Sequence, residues 1–403
     1  MSHIKLGIIR EGKVPPDKRV PLTPKQCKLV EQLFPQVKVV VQTSPVRAFT
    51  DKQYTDEGVE IVSDLSDCDI IMGVKEVNKS DLIPNKKFLF FSHTIKKQPY
   101  NRDLLRAILD KNIQLIDYEV LKNSDNKRII GFGRYAGIVG AYNGFRTFGL
   151  KNRLYDLKPA CACADRVEME NELAKVILPA DTRIVLTGFG RVGNGAREIM
   201  KLVPITEVKP AEFLAQQFDY PVFTHLEVND YFERMDGAPF DKKTFYEAPE
   251  LFQSAFQAYA EHANMYIACH YWSNKSPFIL TNEHLKTSKL TVVADVSCDI
   301  AGPIACTIRP SIIADPIFGY SIATGEEADW MNEGVVAVMA VDNLPCELPL
   351  DASEDFGNEL IAQVFPALFG EDPTGIIARG SETDLFGKLT PNFAYLQDYV
   401  NGQ

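Results

Sequence analysis

Short apolar runs rich in β-branched residues alternate with helix-like periods over the first third of the chain. A strand followed by a helix and then another strand usually forms a parallel sheet. The Thr23-Pro24-Lys25-Gln26 segment supplies a hydroxyl cap, a proline at the first helical position and a glutamine at the third, which predicts a helix over 24–34. The apolar runs predict strands at residues 4–10, 37–42, 69–74, 87–92 and 113–118.

A second β-α-β pattern begins after a stretch rich in glycine, alanine and aromatic residues at 131–150. That stretch predicts a closely packed helix, and we place the crossover between two domains there. Residues 210–262 are polar, aromatic and poor in strand pattern, which predicts a helical insertion. The other elements predicted in this part are strands at 183–187, 205–208, 265–269 and 290–296, and a helix at about 195–202.

The turn after the strand at 183–187 reads Gly188-Phe-Gly190-Arg191-Val192-Gly193-Asn-Gly195. In a dinucleotide-binding turn the first glycine makes the bend, the second lets the backbone approach a pyrophosphate, and the third lets the helix pack on the strand. The helix N-terminus then offers unpaired N–H groups to the phosphates. The strand, turn and helix therefore predict a site for NAD or NADP, against the alternative of a glycine-rich loop without a ligand.

Two charged residues near the end of the next predicted strand bear on the choice of cofactor. An acidic residue there, such as Glu207, would hold the ribose hydroxyls of NAD. Lys209 could instead receive the 2′-phosphate of NADP. Two solvated charges on a loop are the third alternative, and the sequence does not choose among them.

Lys75 and His93 each follow an apolar strand, at the position where open parallel sheets bind ligands. A lysine that is desolvated beside a binding site loses proton affinity and can act as an acid or base, and histidine needs little adjustment to do so. The alternatives are a surface lysine and a hydrogen-bonded core histidine.

Composition narrows the class of protein. The 403 residues exceed the size at which a single core usually stops growing, which predicts two domains, and 45% hydrophobic with 24% charged residues is typical of a globular protein. A net charge of -11 without a basic block argues against a nucleic-acid partner. We expect no membrane partner, no metal and a cytoplasmic location, because no long apolar run or signal-peptide core is evident and the 8 cysteines include no Cys-x-x-Cys pair.

Motifs along nearly the whole chain resemble those of one enzyme family. The chain is similar to the lysine-forming saccharopine dehydrogenases and, more closely, to the lysine–ketoglutarate reductase domain of bifunctional lysine-degrading enzymes, within the alanine dehydrogenase and transhydrogenase superfamily. The motifs that carry the resemblance are Arg19-Val-Pro-Leu-Thr-Pro24, Gly73-Val-Lys75, Phe-Phe-Ser-His93-Thr-Ile-Lys96, Leu-Ile-Asp117-Tyr118-Glu119, Phe132-Gly-Arg-Tyr135-Ala-Gly137, Asp295-Val-Ser297-Cys-Asp299 and Val-Asp342-Asn-Leu-Pro345.

The resemblance implies an α/β fold of two Rossmann-like domains with parallel sheets around a cleft. Residues 1–135 and 331–403 would form the substrate domain, to which the C-terminal segment returns, and 136–330 the dinucleotide domain. It also implies interconversion of saccharopine with lysine plus 2-oxoglutarate, with Lys75 and His93 as the acid/base pair. The implied substrate contacts are Arg19, Lys96, Arg128, Phe132 and Tyr135, and the implied cofactor contacts include Arg191, Val192, Asp295 and Asp342.

Other functions are compatible with these motifs. One is an alanine dehydrogenase that acts on a small keto acid with ammonia, although Lys96 and Arg128 are more cations than one carboxylate needs. Another is a ligand sensor without turnover, and the remotest is a scaffold. Direction of flux and oligomeric state, a monomer or small homo-oligomer, are left open.

Overall fold

The computed structural model describes residues 3–402 and divides into two compact units. Unit 1 contains residues 3–132 and 349–402, and unit 2 contains residues 133–348. The strands are β1 Ile4–Ile8, β2 Val37–Gln42, β3 Glu60–Val62, β4 Ile70–Met72, β5 Lys87–Phe90, β6 Gln114–Asp117, β7 Arg183–Thr187, β8 Thr206–Glu207, β9 Val222–Leu226, β10 Phe232–Arg234, β11 Phe252–Ser254, β12 Met265–Ala268, β13 Val292–Asp295, β14 Ile317–Ser321, β15 Glu327–Ala328 and β16 Val335–Met339.

Helices connect these strands in both units. They are α1 Pro24–Leu33, α2 Asp51–Asp56, α3 Pro99–Asp110, α4 Gly133–Lys151, α5 Arg166–Glu172, α6 Arg191–Met200, α7 Pro210–Ala215, α8 Val228–Tyr231, α9 Lys242–Glu247, α10 Gln257–Ala260, α11 Asn282–Thr287, α12 Pro349–Glu359, α13 Phe365–Phe369, α14 Ile376–Gly380 and α15 Gln397–Asn401. Among residues 3–402, no helix is both long and apolar enough to cross a membrane.

The sheet of unit 1 has six strands in the order β3-β2-β1-β4-β5-β6, and all neighbours are parallel. Successive residues of each strand enter separate cores: Ile70 and Met72 pack with helices α1, α12 and α13, whereas Ile71 packs with α3. Both faces of the sheet are therefore covered, as a parallel sheet requires. The predicted strands are confirmed, and the short edge strand β3 is one that the apolar pattern missed.

Helix α1 begins where the sequence predicted. The Thr23 hydroxyl accepts the N–H of Gln26 at 3.3 Å, and the Gln26 side chain accepts the N–H of Thr23 at 2.9 Å. This reciprocal capping satisfies two N–H groups that the first turn would otherwise leave unpaired.

Unit 2 contains an eight-stranded sheet in the order β15-β14-β16-β13-β12-β7-β9-β8. Strand β14 is antiparallel to both of its neighbours, β15 and β16, and the other pairs are parallel. The prediction that 210–262 is a helical insertion is wrong, because β9 is a fully buried strand of this sheet. Its Val-Phe-Thr-His-Leu sequence is buried on both faces and therefore shows no apolar-polar alternation. Residues 232–234 and 252–254 also pair, as a separate two-stranded sheet.

Two boundaries differ from the sequence-based ones. The chain returns to unit 1 at Pro349 and not at 331, because β16 is a buried strand that pairs with β13 and β14. Helix α6 begins at Arg191, ahead of the predicted 195, and contains Gly193 and Gly195 within its turns. A Cβ on Gly195 would lie 2.1 Å from the Arg134 carbonyl oxygen of α4, so close helix packing overrides the low helix propensity of glycine.

Candidate functional site

The carboxyl ends of the unit 1 strands bring together most of the side chains selected from the sequence. The chain leaves β1 toward β2 on one side and later crosses to β4 on the other side of β1. Such a reversal of strand order opens a crevice at the carboxyl ends of the two central strands, where open α/β sheets bind ligands. Glu11 follows β1, Lys75 follows β4 and His93 follows β5.

Glu11 fixes the backbone that carries Lys75. Its carboxylate accepts the N–H of Val74 at 2.6 Å and the N–H of Lys75 at 3.0 Å. Burial raises the pKa of Glu11 to about 7, although these two hydrogen bonds act in the opposite direction. Glu11 was not among the site residues predicted from the sequence.

The Lys75 side chain is half-buried, and this burial lowers its pKa below the usual value. The positive charges of Arg19 and Lys13 lower the pKa further, while Asp17 and Glu76 oppose them. A lysine in these surroundings gives up its proton more readily than one in water. The structure therefore shows a partly buried lysine and not a fully exposed one.

His93 is paired with a carboxylate rather than packed in the core. Its Nδ1 lies 2.5 Å from Oε1 of Glu76, and its ring stacks on Phe91 with an interplanar angle of 19°. Burial would raise the pKa of Glu76, but the hydrogen bond from His93 outweighs it and holds that pKa at about 2. Because Glu76 is ionised, it accepts a hydrogen bond from Nδ1–H of His93 and leaves Nε2 for a ligand.

Arg19 is buried and held in a two-pronged pair with Asp17. Its Nε and Nη2 lie 3.0 and 2.6 Å from the two Asp17 carboxylate oxygens. Burial would raise the pKa of Asp17, yet the bonds from Arg19 bring it down to about 2. The Arg19 guanidinium also lies 4.2 Å from the centre of the Phe132 ring, which orients its plane.

Phe91, Tyr118, Phe132 and Phe356 form a continuous set of rings that we call the aromatic platform. The Phe132 and Phe356 rings stack at 4.4 Å and 13°, and Phe91 packs against both. Phe356 comes from α12, so the returning segment completes the platform. Phe132 was predicted from the sequence and Phe356 was not, because the local pattern of α12 does not distinguish a phenylalanine of the core from one that lines a site.

The two other predicted cations lie on the surface of unit 1. The Arg128 guanidinium sits 5.3 Å from the Phe91 ring centre, and its Nε donates to the Ile130 carbonyl at 3.0 Å. The Lys96 ammonium lies 3.4 Å from Oε1 of Glu119. Arg128 thus shares a platform ring with His93.

Unit 2 holds the glycine turn in the geometry that the sequence predicted. Gly188 has a φ of 94°, and a Cβ there would lie 2.4 Å from the Cys269 carbonyl oxygen. A Cβ on Gly193 would lie 1.7 Å from the Gly188 carbonyl oxygen, so only glycine lets α6 approach β7 this closely. At Gly190, in contrast, a Cβ would meet no described atom within 4 Å.

The open space at Gly190 fits a bound phosphate. Gly190 is the N-cap of α6 and has no side chain to cap the first turn, and the start of a helix is where backbone N–H groups can bind a phosphate. The Gly188 carbonyl accepts from His225 Nε2 at 2.6 Å, and the Phe189 ring stacks on His225 at 3.8 Å. These contacts fix the turn to His225 of β9.

Strand β7 lies between β12 and β9, and β8 is separated from β7 by β9, so the premise that 205–208 ends next to the glycine turn is wrong. Glu207 pairs with Phe223 near the start of β9 and forms an ion pair with Arg197 at 2.6 Å. Lys209 caps α7. The residue that follows the carboxyl end of β9 is Glu227, which the sequence analysis missed because β9 was not recognised as a strand.

Three other predicted residues lie in unit 2. Tyr135 is buried in α4 and is therefore not in the same unit as the other predicted substrate contacts. Asp295 is buried at the end of β13, where it accepts from the Thr307 hydroxyl at 2.7 Å and the Cys298 N–H at 3.0 Å. Burial raises the pKa of Asp295 to about 6. Asp342 is exposed just after β16.

Comparison with known proteins agrees with this arrangement. Residues 7–139 match the family model of the alanine dehydrogenase/PNT N-terminal domain. The chain is 31% identical to alpha-aminoadipic semialdehyde synthase of Arabidopsis thaliana over 88% of this chain and 37% of that protein. It is 27% identical to the saccharopine dehydrogenase [NAD(+), L-lysine-forming] of Yarrowia lipolytica over 89% of this chain and 91% of that protein.

The fold is that of a solved L-alanine dehydrogenase, with a TM-score of 0.65 at 15% identity over 99% of both chains. The resemblance and the two-unit α/β fold inferred from the sequence are thereby confirmed. The chain spans only 37% to 46% of the length of the aminoadipic semialdehyde synthases that it matches.

Gly190→Val should abolish dinucleotide binding in a chain that still folds, because the new side chain enters space that no described protein atom occupies. Fluorescence titration with NADH and NADPH measures the affinity, and thermal unfolding measures the stability. The matched variant Gly193→Ala should instead unfold at a lower temperature, since its Cβ meets the Gly188 carbonyl. A folded Gly190→Val protein with wild-type affinity would contradict the assignment of the turn.

Proposed function

We propose that this chain, a relative of the lysine-forming saccharopine dehydrogenases, is an oxidoreductase of lysine metabolism that interconverts saccharopine with lysine plus 2-oxoglutarate. The proposal rests on the group of charged side chains at the carboxyl ends of the unit 1 strands. There Arg19 lies near Lys75, which we propose as one member of a proton-transfer pair. Arg128 shares the Phe91 ring with His93, the proposed second member, and Lys96 lies in the turn that follows His93. A bound NAD or NADP supplies the hydride in one direction and takes it up in the other.

The charges of the site suit this ligand. Saccharopine carries three carboxylates, and arginine offers the paired donors that bind a carboxylate best. Oε2 of Glu119 is buried without a hydrogen-bond partner among the described residues, and the Lys13 ammonium lies 3.7 Å from the buried Oε2 of Glu76. Acceptors of this kind suit the ammonium group of an amino acid, so the site provides for both ends of the substrate.

Each member of the proton-transfer pair has a defined task. When the lysine amine adds to the ketone of 2-oxoglutarate, a carbinolamine forms, which loses water to give an imine. Lys75 would take and return the proton on the bridging nitrogen, and His93 would deliver the proton to the oxygen that leaves as water. Its lowered pKa makes Lys75 usable as a base, and the ionised Glu76 orients the His93 ring through Nδ1.

Several finer statements stay predictions of the sequence. These are a cytoplasmic location, a monomer or small homo-oligomer, and the absence of nucleic-acid, membrane and metal partners. Contact of Tyr135 with substrate, and of Glu207, Lys209, Asp295 and Asp342 with cofactor, also stays predicted.

Oxidation of NADH and NADPH with 2-oxoglutarate and a panel of amines tests the activity. We expect turnover with lysine and little with ornithine or ammonia, and the reverse reaction with saccharopine and the oxidised cofactor. Turnover with pyruvate and ammonia instead would indicate an alanine dehydrogenase. Cofactor binding without turnover on any amine would indicate a sensor.

Lys75→Met and His93→Gln should each lower turnover by about 10² to 10⁴, because the site still aligns the reactants after a positioned acid or base is lost. Cofactor affinity should stay near wild type. The double variant should cost less than the product of the two single effects if one group partly replaces the other. Lys97→Met is the matched control, since Lys97 is exposed and lies over the Tyr395 ring. Full turnover in either single variant across the pH range would remove that residue from the mechanism.

We also propose that Glu227 favours NAD, because it follows the strand beside the glycine turn, where an acidic residue holds ribose hydroxyls. Glu227→Arg should shift the ratio of NADH to NADPH affinity toward NADPH by roughly tenfold or more, the effect of losing one charge-assisted hydrogen bond. Glu207→Gln and Lys209→Asp are matched surface controls. A preference that follows Lys209 and not Glu227 would return the role to the sequence-based candidate.

A further inference from the structure

Four side chains beside His93 form a buried chain of oxygen-to-oxygen contacts. Oε2 of Glu382 lies 2.5 Å from the Thr94 hydroxyl, which lies 2.6 Å from the Ser92 hydroxyl. The Ser92 hydroxyl in turn donates to Oδ2 of Asp117. All four residues are fully buried, at 0% exposure, so no solvent completes these contacts.

The returning C-terminal segment brings Glu382 to this place. Ser381 forms an antiparallel bridge with Ile116 of β6, and the Glu382 N–H donates to the Leu115 carbonyl at 2.8 Å. The Thr383 hydroxyl accepts the Leu115 N–H at 2.9 Å and donates to the Ile113 carbonyl at 2.6 Å. The segment therefore pairs with the edge strand β6, and Glu382 contacts Thr94 in the loop that follows β5.

A proton count shows that one of the two carboxyl groups is protonated. The three contacts in series each require one proton, and the two hydroxyl groups supply only two. The third proton must therefore sit on Glu382 or Asp117. With the proton on Glu382, every contact is satisfied in one direction: Glu382 donates to Thr94, Thr94 to Ser92, and Ser92 to Asp117.

The partners of the two acids place the proton on Glu382. Asp117 accepts from the Ser92 hydroxyl and from two backbone N–H groups, those of Ser92 at 3.1 Å and Glu119 at 2.6 Å. Oε1 of Glu382 has no hydrogen-bond partner among the described residues. Donors stabilise an ionised carboxylate, whereas a neutral carboxyl tolerates the apolar surroundings better.

The charges around Glu382 agree with this placement. Burial raises the pKa of both Asp117 and Glu382. The pKa of Glu382 rises well above its usual range, because the negative charges of Asp117 and Glu119 and a side-chain hydrogen bond with Asp117 outweigh the opposite effect of Thr94. The same hydrogen bond lowers the pKa of Asp117, as expected if Glu382 carries the proton. The other titratable groups that interact with Glu382 are the phenols of Tyr395 and Tyr399. The cations of this region are engaged elsewhere, since Lys96 pairs with Glu119 and Lys97 lies over the Tyr395 ring.

The chain of contacts holds both neighbours of His93. Ser92 and Thr94 flank it, and His93 itself has a φ of 55°, a left-handed conformation that non-glycine residues rarely adopt. We propose that protonated Glu382 is a positioning residue for His93, which it holds by donating through Thr94 and Ser92 to Asp117. This rests on the proposed function only insofar as His93 acts in turnover.

Thermal unfolding of the full chain from pH 5 to 9 tests the proton without any assay of activity. Above a pH of about 4.3 the unfolded chain releases the Glu382 proton while the folded chain keeps it, so wild-type stability falls as pH rises toward the folded pKa. E382Q has no such proton and keeps the donor to Thr94. Its melting temperature should therefore gain on that of the wild type with rising pH, by at least about 2 °C over this range. A difference that is constant with pH would overturn the protonated state.

E382L tests the positioning role. The ring resonances of His93, assigned in the spectrum by their loss in His93→Gln, should shift in E382L and return to the wild-type position in E382Q. The turnover number should fall between about tenfold and 10²-fold in E382L, and E382Q should restore it to within about threefold. NADH affinity should stay unchanged in both.

Thr390→Val is the matched control for general loosening of the segment. It removes the 2.7 Å bond from the Thr390 hydroxyl to the Ser381 carbonyl and does not touch the chain of contacts. We expect a lower melting temperature and an unmoved His93 resonance. Equal His93 shifts in Thr390→Val and E382L would overturn a specific role for Glu382. A wild-type protein without turnover would refute the proposed function alone, because the resonance and melting experiments still decide the position of His93.

Discussion

The carboxylate of Glu11 is the contact on which the arrangement in unit 1 depends. The order of strands puts the end of β1 beside the end of β4, and Glu11 binds the two backbone N–H groups of Val74 and Lys75 there. A lysine side chain is long and flexible, so its backbone must be fixed before its ammonium group can have a defined position. Glu11 does this at the point where a parallel sheet opens toward a ligand.

The aromatic platform holds two cationic side chains at its rings. Arg19 lies over Phe132 and Arg128 over Phe91, while the buried Asp17 offsets the charge of Arg19. The flat rings orient each guanidinium without using its N–H groups. The acidic partners of Arg19 and Lys96 reduce the repulsion between the cations when no ligand is bound.

The return of the chain to unit 1 contributes directly to the site. It provides Phe356 to the platform and Glu382 to the hydroxyl chain beneath His93. Unit 2 has its glycine turn at the corresponding position, after the carboxyl end of β7, and offers backbone there instead of side chains.

The sequence by itself determined the features that depend on neighbouring residues. These are the capped start of α1, the strands that precede Lys75 and His93, and the glycine turn, in which Gly188 makes the bend and Gly193 allows close packing. Only the tertiary structure decided which strand lies beside β7, which acid holds the backbone of Lys75, and that Phe356 and Glu382 join the site. Those choices depend on pairing between segments far apart in the chain, and such pairing leaves no period or spacing in the local sequence from which it could be predicted.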